Sequence, residues 1–393
     1  MKIVPDIRFK GFEEEWKLSE LGRLFIERIE NNPNAEMLSV TINDGIIKAS
    51  ENGRFDNSNS NKSKYKSVKK GDIAYNSMRM WQGASGVSNF EGIVSPAYTV
   101  LCPVSGVNSV FFSYLFKTID TIKKFRLHSQ GMTKDTWNLK YPALSKIAVE
   151  YPLEECQQLQ VASYLQNIDL QISKLVKRIV KLRQLKSACL ISMFPQQGET
   201  VPRVRFKGFD GEWNEQKAEV IFRQFIEKNR PDLPVLSATQ DRGMVTRKAI
   251  GYDISHDKRN ECTYKHILPG QFVIHLRSFQ GGFAHSDIEG IASPAYTVFE
   301  FRDKNQHNDI FWKYIFSSKS FIKQLEKITY GIRDGRSISF DEFKDMKFII
   351  PCVKEQHQIA SYFRQLDIQI SEQEKRLEKL KQIKAACLDK MFV

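Results

Sequence analysis

One short motif, in which an arginine, an aromatic residue, a glutamine and a glycine follow in fixed order, occurs in both halves of the chain. It is R-M-W-Q-G at residues 79–83 and R-S-F-Q-G at residues 277–281. Arginine can bind guanine N7 and O6, and glutamine can bind adenine N6 and N7. Each copy follows a predicted strand and ends in glycine, which favours an exposed turn. The motif therefore predicts DNA contacts by Arg79, Trp81, Gln82, Arg277, Phe279 and Gln280. An equally weighted alternative is that the aromatic residue packs the domain while arginine and glutamine only hold the turn.

A second polar loop follows a predicted helix in each half, and here the halves differ. Its sequence is RLHSQGMTK at residues 126–134 and YGIRDGRS at residues 330–337. Both copies are basic and contain glycine. A loop that diverges in a duplicated frame is where two DNA half-sites would be distinguished, although ordinary loop drift is the alternative. The candidate DNA-contacting residues are Gln130, Thr133, Lys134, Tyr330, Arg333 and Arg336.

The overall charge favours a polyanionic partner. The chain has a formal net charge of +13, which is typical of proteins that bind nucleic acid or a membrane surface. Phosphate contacts, which position a protein without specifying bases, are predicted for Lys62, Lys64, Lys66, Lys69, Lys70, Arg242, Arg247, Lys248, Lys258 and Arg259; for any one of them a solvated surface position is the alternative. No apolar run approaches the roughly 18 residues of a membrane span and the start lacks a signal-peptide core, so we expect a cytoplasmic protein without membrane association.

Motifs for catalysis are scarce. The chain has no G-x-x-x-x-G-K-[ST] loop for ATP, no methyltransferase tetrapeptide and no G-x-G-x-x-G turn. The seven histidines are isolated, and the six cysteines form no C-x-x-C pair. Residues 341–344 (D-E-F-K) contain the E-x-K tail of one nuclease class, but a solvated helix is the simpler interpretation. We therefore expect a protein that is not an enzyme and binds no cofactor or metal itself.

The elements that would position these residues are duplicated. R-F-K-G-F at residues 8–12 returns at 205–209, and EGIVSPAYTV at 91–100 returns at 289–298 with one change. A period of about 198 residues indicates a duplicated domain and not a solenoid. Strands are predicted at residues 37–47, 69–75 and 98–102, with a helix at 111–125; the second half repeats them at 235–238, 271–276, 296–301 and 311–328.

Each half ends in a long helix with an apolar seam. In the first, the spacing of Leu165, Ile168, Ile172, Leu175 and Ile179 is that of a coiled coil. Such a stripe, roughly 45 Å long, is too long to bury against one small domain, so the two helices should pair. A parallel pair would require the eight-residue linker after the first helix to run back along it, but eight residues reach at most about 28 Å. The pair is therefore predicted to be antiparallel.

These expectations define an α+β fold: two similar mixed α/β recognition domains, at residues 1–152 and 195–351, separated by two long helices at 153–194 and 352–393 that form an antiparallel coiled coil with pseudo-two-fold symmetry. Order, duplication and spacing of the paired R-F-K-G-F-x-x-E-W, G-I-x-S-P-A-Y and Q-[VI]-A-S-Y segments resemble those of the specificity subunits of type I restriction–modification enzymes. The resemblance covers essentially the whole chain.

The resemblance implies a non-catalytic subunit that recognises double-stranded DNA, each domain reading one half of a bipartite, non-palindromic site. It also implies docking of two modification subunits, which methylate adenine with S-adenosylmethionine, and of restriction subunits, which use ATP and Mg²⁺. The alternative is a scaffold or adaptor that uses its duplicated domains to bind protein and not DNA. Steep salt dependence of binding would distinguish DNA recognition from the adaptor role.

Overall fold

The computed structural model of the chain describes residues 4–41, 45–51, 61–133, 136–239, 242–250, 258–275, 282–329 and 338–393. The chain forms two compact units. Unit 1 consists of Met1–Val176 and Lys375–Val393, and unit 2 of Lys177–Glu374. Each long helix therefore contributes one part to each unit.

Unit 1 is built around short antiparallel strands. Its strands are β1 (Lys17–Glu20), β2 (Phe25–Glu27), β3 (Leu38–Thr41), β4 (Gly45–Lys48), β5 (Lys66–Val68), β6 (Ile73–Asn76), β7 (Ser85–Val87), β8 (Gly92–Val94), β9 (Tyr98–Pro103) and β10 (Ala148–Tyr151). A four-stranded sheet has the order β2-β9-β6-β7, and three ribbons pair β1 with β10, β3 with β4 and β5 with β8. The helices are α1 (Leu21–Leu24), α2 (Ser109–Leu115), α3 (Ile119–His128), α4 (Tyr141–Leu144) and the first part of α5 (Glu155–Ser192).

Unit 2 repeats this arrangement. Its strands are β11 (Asn214–Lys217), β12 (Phe222–Gln224), β13 (Leu236–Thr239), β14 (Gly243–Thr246), β15 (Lys265–Ile267), β16 (Phe272–Ile274), β17 (Phe283–His285), β18 (Gly290–Ala292), β19 (Thr297–Phe301) and β20 (Lys347–Ile350). The four-stranded sheet has the order β12-β19-β16-β17, equivalent to that of unit 1. The helices are α6 (Ala218–Ile221), α7 (Asp309–Phe316), α8 (Lys319–Thr329), α9 (Phe340–Lys344) and most of α10 (Val353–Lys390). The predicted α+β class is confirmed.

The prediction of one helix at residues 111–125 and one at 311–328 is wrong, because each is divided in two. Thr118 has an extended backbone conformation, and its hydroxyl accepts a hydrogen bond from the N–H three residues later, so it caps a new helix. In unit 2 the Ser318 hydroxyl accepts a hydrogen bond from the N–H of Phe321 at 3.2 Å, at the start of α8. The predicted strand at residues 37–47 is likewise two strands, β3 and β4, paired as a hairpin.

The long helices pack antiparallel within each unit. In unit 1, Asp169 of α5 lies 2.5 Å from Lys384 of α10. In unit 2, Lys186 of α5 lies 2.5 Å from Asp367 of α10, and the earlier Arg183 pairs with the later Glu374. Residue numbers fall along one helix as they rise along the other in unit 2, which confirms the predicted direction of the pair. Seam residues such as Leu165 and Ile168 are buried, as expected.

In each unit an equivalent contact among a tyrosine, an aspartate and a lysine stabilises the packing of α5 against α10. In unit 1 the Tyr114 hydroxyl donates to Asp169 at 2.7 Å, and Lys384 Nζ lies 5.6 Å from the centre of the Tyr114 ring. Burial, reinforced by the nearby carboxylate, raises the pKa of the Tyr114 hydroxyl, so it stays protonated and can donate. The equivalent residues of unit 2 are Tyr314, Asp367 and Lys186.

Each core is closed by a phenylalanine just past the end of a long helix. In unit 1 the ring of Phe392 lies 5.2 Å from Phe111 and 6.2 Å from Trp16. In unit 2 Phe194 occupies the equivalent position, 5.6 Å from Phe311. Phe392 belongs to the second sequence repeat and Phe194 to the first. Each unit therefore combines the globular part of one repeat with the helix end of the other.

Candidate nucleic-acid interface

The first of the two R-x-aromatic-Q-G motifs forms a compact turn between β6 and β7, here termed the arginine turn (residues 77–83). One 3-10 turn spans Met80–Gln82, and Gly83 follows with φ 79°, a left-handed conformation that glycine adopts at little steric cost. Met80 is fully buried and fixes the turn to the core. Arg79 is exposed, and its Nη1 donates to Gln82 Oε1 at 3.5 Å. The predicted turn is present, but of the five motif residues only Arg79 is exposed, and its bond to Gln82 is also what the alternative interpretation, that these two residues hold the turn, would give.

The second predicted element, here termed the polar loop (residues 129–138), packs directly against the arginine turn. The N–H of Leu139 donates to the carbonyl of Ser77 at 2.8 Å, and this bond joins the two segments. The backbones of Gln130 and Asn138 exchange two hydrogen bonds at 3.0 and 2.8 Å and close the base of the loop. The structure thus brings together two elements that lie about 50 residues apart in the sequence.

Beyond its base the polar loop presents polar side chains to solvent. Gln130 and Thr133 are exposed, whereas Lys134 lies outside the described residues. Gly131 bends the loop at φ 144°, and a Cβ there would lie 2.5 Å from the carbonyl oxygen of Thr136. The bend therefore requires glycine. Residues 126–128, which the sequence suggested as loop, form the last turn of α3.

Two tryptophans and an arginine connect the turn to the loop. The rings of Trp81 and Trp137 meet edge to face at 5.4 Å, and Trp81 Nε1 donates to the carbonyl of Met78 at 3.1 Å. The guanidinium carbon of Arg126 lies 5.3 Å from the centre of the Trp137 ring, a cation–π distance. Sequence reasoning did not select Trp137 or Arg126. The available signal was a tryptophan within an otherwise polar loop.

A third segment lies at the same end of the sheet, here termed the proline turn (residues 95–98 in unit 1 and 293–296 in unit 2). Tyr98 pairs with Asn76 across β9 and β6, immediately before the arginine turn. Ser77 Oγ lies 3.1 Å from Thr99 Oγ1. In the proline turn itself, the N–H of Tyr98 donates to the carbonyl of Ser95 at 2.9 Å. The arginine turn, polar loop and proline turn therefore form one continuous end of unit 1.

The chemistry of this end suits a planar, anionic ligand. None of the described residues of the arginine turn and polar loop is acidic, and Arg79 and Arg126 are exposed. Their guanidinium groups can donate to phosphates or base edges. The two half-buried tryptophans pack on one another and hold these two segments together. These properties are typical of a nucleic-acid interface.

In unit 2 the predicted DNA-contacting residues lie outside the described residues; they are Arg277, Phe279, Gln280, Tyr330, Arg333 and Arg336. The described residues on either side of the second R-x-aromatic-Q-G motif are His275 and Gly282, and the N–H of His275 donates to the carbonyl of Gly282 at 3.0 Å. The His275 ring lies 6.3 Å from that of Tyr296 in the proline turn. Burial lowers the pKa of His275 and favours its neutral form. The proline turn of unit 2 thus lies beside His275, which precedes the second R-x-aromatic-Q-G motif in the sequence.

Of the residues proposed as phosphate contacts, Lys69 and Lys70 lie away from this end. Both lie in the connection that precedes β6, whereas the arginine turn follows that strand, and Lys69 pairs with Glu30 at 3.2 Å. Lys66 pairs with Glu27 at 3.1 Å. Lys62 is half-buried, Lys64 is exposed, and in unit 2 Arg242 and Lys248 are exposed while Arg247 is half-buried. The side chains of Lys258 and Arg259 lie outside the described residues.

The D-E-F-K segment, which could indicate a nuclease, has a structural role in the described residues. Glu342, in the D-E-F-K segment, forms a capping box with Ser339 at the start of α9, and Lys344 pairs with Asp341 at 2.7 Å. In the part of the chain that the structure describes, no group of three or more His, Cys, Asp or Glu residues is placed to hold a metal ion. Over the same residues, every helix is too short or too polar to traverse a lipid bilayer.

Comparison with known proteins finds one matching family model and several similar folds. Residues 215–382 match the family model of the type I restriction modification DNA specificity domain. The fold resembles that of the S subunit of a type I restriction-modification system from M. genitalium, with a TM-score of 0.61, 14% identity and 99% of each chain covered. A chain from a structure on complex assembly and conformational transition of the type I R-M system has a TM-score of 0.50 and 15% identity, covering 96% of this chain and 97% of that chain. No curated protein matches the sequence.

Proposed function

We propose that the chain is a specificity subunit of a type I restriction–modification system, which recognises DNA and is not catalytic, and that each of its two units reads one half of a bipartite, non-palindromic site. The observation that carries the proposal is the convergence of the arginine turn and the polar loop at one end of unit 1. The sequence predicts DNA contacts for each of these elements on separate grounds, base-binding side chains in the turn and divergence between the repeats in the loop. The polar loop differs between the repeats, so the two units should select different bases.

The same proposal assigns a role to each part of unit 1. The exposed Arg79 and the half-buried Gln82 would contact base edges, where a bidentate pair provides about 1–3 kcal/mol of discrimination. Gln130 and Thr133 would extend the contact from the polar loop. Trp81 and Trp137, which pack on one another, would hold the turn and loop in a fixed relation.

The partners of the chain follow from the family. The long helices would join the two reading units and provide docking surfaces for two modification subunits, which would supply S-adenosylmethionine and transfer the methyl group. Restriction subunits would add ATP- and Mg²⁺-dependent cleavage. The complex would act in the cytoplasm, where it meets the DNA.

The test is methylome sequencing of cells that express the chain with its modification subunits. We expect one methylated site with two different half-sites separated by unspecified bases. Arg79→Ala should relax the bases of one half-site only. The matched control is Arg23→Ala, since Arg23 is also exposed but lies beside Phe25, at the end of the sheet opposite the arginine turn. A palindromic or continuous site would contradict the proposal.

A binding assay separates DNA recognition from an adaptor role. Contacts to phosphates release counterions, so affinity for DNA should fall steeply as salt rises, with a logarithmic slope of about −0.9 per phosphate. Binding that is equal for cognate and scrambled duplexes, or that is insensitive to salt, would favour the adaptor.

A further inference from the structure

The proline turn is the exposed part of the longest segment that the two repeats share. Residues 91–100 and 289–298 differ at a single position. Burial accounts for the identity of the glycine and isoleucine of β8 and β18, which are fully buried in both units. It does not account for Pro96 and Ala97, or for Pro294 and Ala295, because all four are exposed. Proline can shape a turn, but an exposed alanine has no packing role.

The position of the turn indicates what it contacts. In unit 1 it is joined to the arginine turn through the pairing of Tyr98 with Asn76 and the contact between Ser77 and Thr99. In unit 2 it lies beside His275. In unit 1 the turn is therefore adjacent to an element proposed to read bases, and in unit 2 it lies beside the residue that precedes the equivalent motif in the sequence. The reading elements differ between the units, whereas the proline turns are the same.

A contact that is identical in both units requires a surface that is identical in both half-sites. Bases differ between the half-sites, but the sugar–phosphate backbone does not. We propose that the Ser–Pro–Ala–Tyr turn of each unit is a sequence-independent contact to the DNA backbone, which sets the depth at which the neighbouring elements meet the bases. This inference rests on the proposed function.

The turn has the chemistry for such a contact. The Ser95 hydroxyl oxygen accepts from the N–H of Ala97 at 3.5 Å, and Ser293 accepts from Ala295 at 3.3 Å. In each turn the serine O–H remains available as a donor to a phosphate oxygen. The small proline and alanine side chains allow a duplex to approach closely. In unit 2 Lys265 donates to the carbonyl of Tyr296, which holds the turn in place.

The test changes the charge of the turn without touching the core. The variants are Ala97→Glu, Ala97→Lys and the neutral Ala97→Gln in the full chain assembled with its modification subunits. Matched controls are Asn89→Glu and Asn89→Lys, because Asn89 is exposed at the opposite end of the sheet, where the second repeat already has Asp287. Binding to a cognate duplex and to a duplex with both half-sites scrambled is measured at several salt concentrations.

A carboxylate about 6 Å from a phosphate, at an effective dielectric constant of about 40, should weaken binding about tenfold. Ala97→Glu should therefore weaken binding to both duplexes by the same factor. Ala97→Lys should strengthen both and steepen the salt slope by about 0.9. Ala97→Gln and the Asn89 controls should remain close to wild type, and the corresponding Ala295 variants should behave as the Ala97 variants do.

Two results would overturn the proposal. If both charged Ala97 variants bound DNA as the wild type does, the contact to the DNA backbone would be excluded. This includes the case in which DNA binding persists but assembly with the modification subunits is lost, because the turn would then be a protein interface. Loss confined to the cognate duplex would make the turn a base contact. Failure of the proposed function has a different signature, because the wild-type complex itself would then bind the cognate and scrambled duplexes equally.

Discussion

Phe392→Ala tests whether the C-terminal end of the second repeat is part of the core of unit 1. The side chain is 5% exposed, and its ring contacts those of Phe111 and Trp16. Replacing a buried phenylalanine by alanine costs about 3–5 kcal/mol, because lost transfer free energy and the residual cavity add. For a domain of about 150–250 residues, each kcal/mol lowers the melting temperature by about 2–4 °C. Unit 1 should therefore melt about 6–20 °C earlier.

The two units need not unfold together, so the assay must resolve them. Hydrogen exchange followed peptide by peptide reports the opening free energy of each region separately. In Phe392→Ala, exchange in β6 and β9 should accelerate while β16 and β19 of unit 2 keep their protection. The mirror variant Phe194→Ala should do the reverse. Val393→Ala, at a position 39% exposed, is the surface control and should change neither.

The outcome that refutes the reasoning is equally specific. If Phe392→Ala left the protection of β6 and β9 unchanged, the helix end would not close unit 1. If it destabilised β16 and β19 as much as β6 and β9, the two units would not have separate cores. Either result would contradict the assignment of residues 375–393 to unit 1.

Three other features can be tested in the same way. Trp137→Ala removes an edge-to-face pair worth about 0.5–1.5 kcal/mol and a cation–π contact worth about 0.5–1 kcal/mol. Hydrogen exchange in the polar loop should accelerate, and affinity for one half-site should fall. Unchanged exchange and affinity would contradict the role of the ring. The pKa of Tyr114 is raised in the folded state, so its contribution to the free energy of unfolding is complete below pH about 10. As pH rises further this contribution is lost by up to about 1.4 kcal/mol per pH unit. Chemical denaturation should therefore show a shallower alkaline decline in the free energy of unfolding for Tyr114→Phe than for wild type, and an equal decline would refute this. Deleting residues 172–178 and 370–376 removes one heptad, about 10.5 Å of rise, from each helix. Selection among DNA sites with different spacers between the half-sites should then favour a spacer about three base pairs shorter. An unchanged spacer with full activity would show that the helices do not set the half-site distance.

The sequence alone determined the features that depend on local or repeated patterns. Duplication was visible from the paired openings and the paired G-I-x-S-P-A-Y segments, and the apolar seam predicted two paired helices. The length of the linker after α5 was enough to choose the antiparallel direction, because chain reach is a covalent limit. The R-x-aromatic-Q-G motif indicated a turn because glycine readily adopts left-handed backbone conformations.

Short secondary-structure elements could not be predicted from the sequence. Strands of three residues, such as β7 and β8, are too short for hydrophobic alternation to be recognised. The break between α2 and α3 was missed for a related reason. A single capping threonine at position 118 overrides an apolar pattern that continues through it.

Tertiary structure alone decided which parts of the chain form each unit. The bond from Leu139 to Ser77 and the ring contact between Trp81 and Trp137 join segments far apart in sequence. Likewise, Phe392 enters the core of unit 1 although it belongs to the second repeat. Hydrophobic periodicity specifies which face of an element is buried, but not the partner against which it is buried. That choice depends on sheet register and on shape complementarity in a close-packed core, which arise only when distant segments meet.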